Sequence, residues 1–285
     1  MISFLSHTSN AQELGLSGSG NFEYSLVSGI GDTDLRTYNL DLGFRYEQGR
    51  KTFAFTLGYT DHRFFYFGSS TGFDESAFEK FHTVRPQFSY TRSFGKSWSV
   101  NATMAPTLSS NFAQGIDAED FIPLGGISLS KTWGEENKIS RLTFGTEHGI
   151  LFGRPQWYPI LSLGQKLNDT WSYVLGIPET RIAYAFNDRH TLRARAVLFG
   201  TYANNSRTLL YTDLGELTHT KLSFNGTDIG LEHNYDMSTG FTTVIRAGYQ
   251  QAGNLEVLDE QDNLIHDFEP NGTIYITMGL KYKIN

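Results

Sequence analysis

The 285-residue sequence predicts a single all-β domain, a transmembrane antiparallel up-and-down β-barrel of 12–14 strands. Three observations lead to this prediction. Apolar and polar residues alternate along most of the chain, the connections between alternating stretches fall into a short and a long class, and tryptophans lie beside the short class. The mean hydropathy of −0.33 does not oppose it, because every second residue of a membrane barrel faces the lumen.

Each alternating stretch has one apolar row and one polar row, as in a strand between an apolar and a wet surface. In residues 38–46 the apolar row is Tyr38, Leu40, Leu42, Phe44 and Tyr46. No helical period of useful length, domain boundary or linker interrupts the pattern, so one domain is expected over residues 12–285. Further strands are predicted around residues 53–59, 84–90, 98–104, 127–133, 142–150, 171–177, 182–186, 192–198, 229–235, 241–249 and 273–285.

The two classes of connection alternate along the chain, which a soluble sandwich has no reason to do. Short turns on one side and long loops on the other are typical of outer-membrane barrels, with the short side in the periplasm. The short turns are predicted at 48–50, 95–97, 134–137, 168–170, 187–190 and 236–240, and the long loops at 67–80, 111–122, 204–218 and 253–270.

Three of the four tryptophans lie beside predicted short turns. Amphipathic rings favour the membrane–water interface, where they form an aromatic girdle around a membrane barrel. The alternative is that these aromatic residues cap the edge of a soluble core. The predicted girdle consists of Tyr46, Trp98, Trp133, Trp171, Phe186, Tyr235 and Phe241.

The last strand ends at the C-terminus and is expected to close the barrel by pairing with the first. Its residues Thr277, Gly279, Tyr282 and Ile284 follow the spacing polar, x, glycine, x, x, aromatic, x, hydrophobic. This pattern resembles the C-terminal β-signal recognised by the barrel assembly machinery of Gram-negative bacteria, although the chain ends one residue later, on Asn285. The resemblance implies an outer-membrane β-barrel protein, with membrane lipid and the assembly machinery as partners, and implies no activity.

The strand number depends on the segment Ile177-Pro178-Glu179. If it is a tight outer hairpin, the chain has 14 strands, two of them shorter than the ~9–11 residues that cross hydrocarbon. Pro86 interrupts an otherwise regular strand and removes a ladder hydrogen bond, so a bulge is expected there.

The first residues resemble a shortened export signal. Residues 2–5 are apolar, and Ser9-Asn10-Ala11 has the small-x-small pattern of a cleavage site. Residues 1–11 are therefore predicted to be a residual signal peptide, with a disordered tail as the alternative.

Composition excludes several classes of function. The chain has no cysteine, so disulfides and thiol chemistry are absent. The net charge of −7 argues against nucleic acid as a partner. No cofactor or metal motif occurs.

If the apolar rows face lipid, charges of both signs line the lumen. They either select small polar solutes by size and charge, as in a porin-like channel, or form ion pairs that seal a non-conducting barrel acting within an envelope complex. Both alternatives stay open. The predicted lining residues are Arg45, Arg85, Arg141, Arg181, Arg193, Arg195, Arg246, Asp41, Glu147, Asp228 and Glu232.

Two further features are weighed as sites. Loop 253–270 carries six acidic residues and no Lys or Arg, but its spacing does not match a calcium loop, so a solvated surface loop is expected. An outer-membrane hydrolase is the third hypothesis, because His62, Asp61, His82, His148 and His219 lie near predicted loops, although no catalytic motif unites them. Arg92 and Lys131 lie on the apolar row near short turns, where their charges reach the interface, and no function is assigned to them.

Overall fold

The computed structural model describes residues 15–67, 74–135, 138–211, 215–237 and 240–284, so the predicted signal segment 1–11 lies outside the described residues. Fourteen strands form one closed antiparallel barrel, which confirms the predicted fold. Among the described residues, no helix is long and apolar enough to cross a membrane. The barrel strands are β1 Gly15–Val27, β2 Thr33–Gln48, β3 Lys51–Tyr66, β4 Lys80–Phe94, β5 Trp98–Ser110, β6 Phe121–Glu135, β7 Lys138–Gly149, β8 Gln156–Lys166, β9 Trp171–Ile177, β10 Glu179–Ala185, β11 His190–Asn205, β14 Thr220–Asp236, β15 Phe241–Leu258 and β17 Thr273–Ile284.

The remaining elements lie on the long-loop side of the barrel. A small hairpin, β12 Leu209–Tyr211 and β13 Gly215–Leu217, follows β11, and β16 Leu264–Asp267 pairs with the end of β15. Two short 3-10 helices, Glu75–Phe78 and Ala118–Asp120, lie before β4 and β6. The loop side is therefore the structured end of the molecule.

Closure of the barrel joins its first and last strands. Strand β17 pairs with β1 from Gly18 opposite Ile284 to Val27 opposite Tyr275, and with β15 on its other edge. Because β1 has β2 as its other neighbour, neither terminal strand leaves an open edge in the wall.

Pro178 forms a tight outer turn, and β9 and β10 on either side of it have only 7 residues each. The predicted outer hairpin is therefore present, and the count is 14. The Pro178 carbonyl accepts a hydrogen bond from the Leu198 backbone at 3.0 Å, so β11 runs on past the hairpin. The barrel wall is therefore shortest at this point, where β9 and β10 end.

The outward rows form an apolar belt around the barrel. Exposed large hydrophobic residues recur on almost every barrel strand, with Met104 on β5 exposed to 66%. A soluble protein does not expose a continuous surface of this kind. The belt includes Phe44, Leu57, Phe88, Ile127, Phe144, Leu161, Leu175, Ile182, Ile229, Leu231, Ile245, Met278 and Leu280.

The prediction of a bulge at Pro86 is wrong. Pro86 lies directly opposite Leu57, and the pairing of β4 with β3 continues without a shift. On the other edge, pairs with β5 are absent between Val84 and Phe88, where Pro106 stands. Strand β4 tolerates Pro86, which has no backbone N–H donor, because Pro106 lies opposite it on β5. The β4–β5 hydrogen-bond ladder is interrupted at this point.

The outer ends of β11, β14 and β15 leave the wall and lean across the barrel mouth. Asn204 near the end of β11 pairs in parallel with Ser110 at the end of β5, and the Asn111 backbone donates to the Asn204 carbonyl at 3.1 Å. Strands β6–β10 separate β5 from β11 in the wall. The two ends can meet only if β11 crosses the mouth.

Two outer connections are shorter than the long-loop pattern predicts, at residues 28–32 and 150–155. Within the predicted loop 253–270, β15 continues to Leu258 and pairs with β16. The hairpin thus extends beyond the membrane, as residues 255–258 and 264–266 on either side of an Asp-Glu-Gln-Asp-Asn turn predict. The predicted short turns are therefore present on the side predicted to be periplasmic, whereas the connections on the outer side are only partly long loops.

Candidate functional site

The lumen within the membrane belt is charged. The eleven predicted lining residues all lie on inward rows, since each is one residue out of phase with the exposed apolar row of its strand. Their positions are Asp41 and Arg45 on β2, Arg85 on β4, Arg141 and Glu147 on β7, Arg181 on β10, Arg193 and Arg195 on β11, Asp228 and Glu232 on β14, and Arg246 on β15.

Glu232 is the centre of an ion-pair network on one side of this lumen. Its side chain is only 3% exposed. Its carboxylate accepts hydrogen bonds from Arg193 at 2.7 Å, Arg195 at 3.0 Å and Arg246 at 2.8 Å, and from the Asn234 amide at 2.9 Å. Three cations on two neighbouring strands therefore compensate one buried carboxylate.

The network extends to the strands that close the barrel. Arg246 lies 3.6 Å from Glu23 on β1, and Lys281 on β17 lies 3.9 Å from the same carboxylate. Sequence analysis missed Glu23 and Lys281. Their inward parity was visible, but their role depends on the β1–β17 seam, which only the closed register brings together.

Other polar residues of the lumen make smaller, separate contacts. The Asn21 amide donates to Asp41 at 3.2 Å, and the Arg141 guanidinium donates to Thr132 at 3.2 Å. Arg45 pairs with Glu47 at 2.5 Å near the short-turn end, where both are exposed. Arg181 pairs with Glu179 at 3.0 Å.

Above the belt the interior becomes apolar. Fifteen buried residues from strands on both sides form what we call the mouth cluster, with Phe64, Phe78, Phe81 and Phe224 at or near zero exposure. Tyr66 and Phe268, whose ring centroids are 5.1 Å apart, pack against it. The mouth cluster consists of Val27, Ile30, Leu35, Phe64, Ala77, Phe78, Phe81, Ala203, Leu209, Leu222, Phe224, Ala252, Leu255, Val257 and Tyr275.

The other face of the leaning strands is also covered. Tyr202 on β11 and Leu258 on β15 pack against Ile122, Leu124 and Ile150 from the β6–β8 wall. The barrel mouth is thus filled on both sides of the crossing strands.

Buried polar contacts fix the crossing strands to the loop before β6. Lys221, only 3% exposed, donates to Glu119 at 2.9 Å and to Asn204 at 3.2 Å. The Asn204 amide donates to the buried Asp120 at 2.7 Å. Each of these groups has a partner, as buried polar groups require.

The acidic segment is only partly the solvated loop that its composition predicts. Glu256 is buried and pairs with Arg154 at 3.1 Å, and Asp262 accepts a hydrogen bond from the Tyr202 hydroxyl at 2.6 Å. These two carboxylates hold the β15–β16 hairpin to the outer end of β11 and to the connection 150–155. Burial lowers the pKa of His266 on that hairpin, with smaller opposing effects of Glu75 and Asp267.

The five residues considered for a hydrolase do not converge. His62 faces the interior, 3.1 Å from the Thr37 hydroxyl, whereas its neighbour Asp61 faces outward and binds Arg63 at 2.8 Å. His82 lies directly opposite Asp61 in the β3–β4 register, and its ring contacts the Tyr59 hydroxyl. The other two lie elsewhere: His148 contacts the Pro123 carbonyl, and His219 lies 3.5 Å from Asp117. In the part of the chain that the structure describes, no group of three or more His, Asp or Glu residues is arranged to hold a metal.

The predicted girdle residues lie on outward rows beside the short turns. Trp171 contacts Tyr184 with centroids 4.7 Å apart, and Phe241 contacts Tyr282 at 4.4 Å. Among the predicted assembly residues, Thr277 faces inward with its hydroxyl 2.8 Å from that of Ser25. Gly279 stands where a Cβ would approach the Glu23 side chain to 2.8 Å, and Ile284 pairs with Gly18.

Comparison with known proteins gives a family without an established activity. A family model described as a domain of unknown function, DUF6268, matches residues 36–283. The chain belongs to this family. No curated protein sequence matches it.

Solved structures resemble this DUF6268 member in fold. The COG4313 outer membrane channel from Pseudomonas putida F1 is 11% identical, with 96% of this chain and 97% of that chain covered and a TM-score of 0.47. LpxR from Salmonella typhimurium is 6% identical, with coverages of 93% and 99% and a TM-score of 0.45. A mutant porin from Rh. blastica is 14% identical, with coverages of 95% and 100% and a TM-score of 0.40. At these identities and TM-scores, the similarity says nothing about the activity of this chain.

The closed barrel, its apolar belt and its paired termini together define the class of this DUF6268 protein. Only a barrel without edges satisfies its backbone within lipid when strands cross the membrane. The protein is a transmembrane β-barrel, the class of protein that spans outer membranes.

Proposed function

We propose that the protein is a channel for small polar solutes that rests closed, with the mouth cluster as its seal. The observation that carries this proposal is the change of lining along one lumen. Charges of both signs line the belt, whereas packed phenylalanines fill the outer mouth.

The charged part suits small polar solutes. Opposed charges in a water-filled lumen create a field across the path, which discriminates solutes by size and charge. Arg45 and Glu47 are both exposed near the short-turn end, so water enters from the periplasmic side.

The packed aromatic side chains at the mouth are suited to close the lumen. Phe64 on β3 and Phe224 on β14 belong to strands on opposite sides of the mouth, and their rings meet edge to face with centroids 6.4 Å apart. An ion would have to leave water to pass between such rings, which costs many kcal/mol. The resting protein should therefore be silent.

The test is conductance of refolded protein in planar bilayers. The wild-type protein should show no steady current, and the double variant Phe64→Ser with Phe224→Ser should show one, because both substitutions remove apolar packing from the mouth. The matched control is Phe65→Ser. Phe65 is the next residue of β3, faces outward and contacts Arg36, so this variant should stay silent.

Two outcomes contradict the proposal. Steady current through the wild-type protein would contradict a closed resting state. Silence of the double variant, when heat-modifiable gel migration shows it folded, would contradict a conducting lumen and favour the second candidate.

The second candidate is a non-conducting barrel that serves an envelope complex. The observation that favours it is the buried Glu232 network, whose three arginines are held by one carboxylate rather than presented to a solute. Such a barrel should co-purify with a stable partner and stay silent after the mouth is loosened.

A further inference from the structure

The lipid-facing surface of β1–β5 contains a groove near the short-turn end of the barrel. Its volume is about 430 Å³, within the ~300–1,000 Å³ of ordinary ligand pockets. Aromatic and aliphatic side chains line it almost entirely, including Leu16, Phe44, Phe53, Phe88 and Met104.

Two rows of aromatic rings form the sides of this groove. In the upper row Phe44, Phe55 and Phe88 lie side by side on adjacent strands, with 4.9 Å between the last two centroids. In the lower row Tyr46 and Phe53 are stacked at 6.4 Å. The lower row ends with Tyr90, 5.2 Å from Phe53, and then the small Ala102.

A pair of cations lies directly below the lower row. Lys51 is two residues before Phe53 on β3, Arg92 is two residues after Tyr90 on β4, and the two pair across the strands. Both side chains are exposed and face the lipid side. Like charges directly opposite each other destabilise a strand pair, so this arrangement favours an anion between them.

No carboxylate of the described residues forms an ion pair with Lys51 or Arg92. The carboxylate beside them in sequence, Glu47, lies on the inward row and pairs with Arg45. Arg50 and Lys96 in the adjoining short turns are also exposed and add positive charge. The interface below the groove is therefore basic on a protein whose net charge is −7.

We propose that this groove is a specific site for an anionic glycerophospholipid of the periplasmic leaflet. Its phosphate lies between Lys51 and Arg92, and one acyl chain fills the groove between the aromatic rows. The short-turn side is periplasmic, where the headgroup level coincides with these two cations. The site is independent of whether the lumen conducts.

The test is native mass spectrometry of the folded protein in detergent, titrated with phosphatidylglycerol or with phosphatidylethanolamine. The wild-type protein should retain one phosphatidylglycerol in preference to phosphatidylethanolamine. The double variant Lys51→Gln with Arg92→Gln should bind phosphatidylglycerol about 25-fold more weakly, at about fivefold for each cation near the lipid surface.

A second variant separates the groove from the charges. Ala102→Trp fills the groove and leaves both cations in place, so it should weaken long-chain phosphatidylglycerol several-fold through lost chain burial. It should not weaken dihexanoyl phosphatidylglycerol, whose chains are too short to occupy the groove.

The matched control is Arg36→Gln with Lys80→Gln, which removes two outward cations from the other end of the same wall. It should bind phosphatidylglycerol like the wild-type protein. Equal binding of the two lipids by the wild-type protein would overturn the proposal, as would equal losses in the two double variants.

Discussion

The inward row of β14 changes its chemistry between the membrane belt and the outer mouth. Within the belt it carries Asp228 and Glu232, and at the mouth it carries Phe224 and Leu222. The outward row changes in the opposite sense, from Leu231 in the belt to the buried Lys221 at the mouth. The surroundings of the two rows are exchanged where the strand leaves the membrane. The inward row of the same strand therefore faces a polar lumen in the belt and an apolar core at the mouth.

Strand β3 shows the same reversal. Thr56 and Thr60 face the lumen, whereas Phe64 on the same row lies in the mouth cluster. On the outward row Phe55 in the belt gives way to Asp61. A polar lumen lining therefore does not by itself predict an open pore, because the lining can end below the rim.

The largest effect is expected on the free energy of unfolding, when removal of a buried carboxylate in the belt is compared with removal of an exposed one. Glu232→Ala leaves Arg193, Arg195 and Arg246 without their shared carboxylate, so the free energy of unfolding should fall by about 3–5 kcal/mol. Glu47→Ala removes a carboxylate that is 48% exposed, and the cost should be about 0–1 kcal/mol. Urea unfolding in detergent measures both. Equal losses would mean that the lumen is uniformly hydrated.

A smaller effect is expected when the charged lining is altered in the opened barrel. In the Phe64→Ser, Phe224→Ser background, adding Arg193→Ala and Arg195→Ala should shift permeability toward cations by about fivefold, equivalent to about 1 kcal/mol. The reversal potential under a KCl gradient measures this ratio. An unchanged ratio, matching that after Arg36→Ala on the outer surface, would remove these arginines from the solute path.

The smallest effect on stability is expected when one hydrogen bond that holds the β15–β16 hairpin at the mouth is removed. Tyr202→Phe loses the 2.6 Å hydrogen bond to Asp262, which should cost about 1 kcal/mol. Tyr24→Phe, on the lipid-facing row with its ring on Tyr38, should cost nothing measurable. A loss in Tyr24→Phe as large as that in Tyr202→Phe would show that the bond does not hold the hairpin.

The belt was predictable from the sequence because two constraints act there together. Lipid outside and water inside impose a period of two, which places Arg193, Arg195, Asp228 and Glu232 on one side without any knowledge of the fold. The tight turn at Pro178 was likewise predictable, since the strand parity and the next short turn require it.

The mouth was not predicted, although a signal was present. In Lys221-Leu222-Ser223-Phe224 the apolar residues stand on the same row as Asp228 and Glu232. This switch of rows marks the point where β14 leaves the membrane. The partners across the mouth, such as Phe64, could not be found this way because they depend on how far three strands lean inward.

The arginines around Glu232 show a second limit of prediction from the sequence. Their inward direction follows from parity, but their convergence on one carboxylate depends on the register of β11 and β15 against β14. The cation pair below Phe53 was missed for a related reason. Arg92 was placed correctly on the lipid side, but its partner Lys51 is adjacent only through the β3–β4 register.

A closed channel requires that the mouth cluster separate the charged lumen from the outside. The chain has no cysteine, so a single introduced thiol can report access. In proteoliposomes whose barrels present their long loops to the bath, a small charged thiol reagent added to the bath should label Gln114→Cys on an outer loop quickly. It should label Thr56→Cys, which faces the lumen, at least about 100-fold more slowly, and Phe64→Ser with Phe224→Ser should abolish that protection. Labelling of Thr56→Cys as fast as Gln114→Cys in the otherwise wild-type barrel would show an open mouth and contradict a sealed lumen.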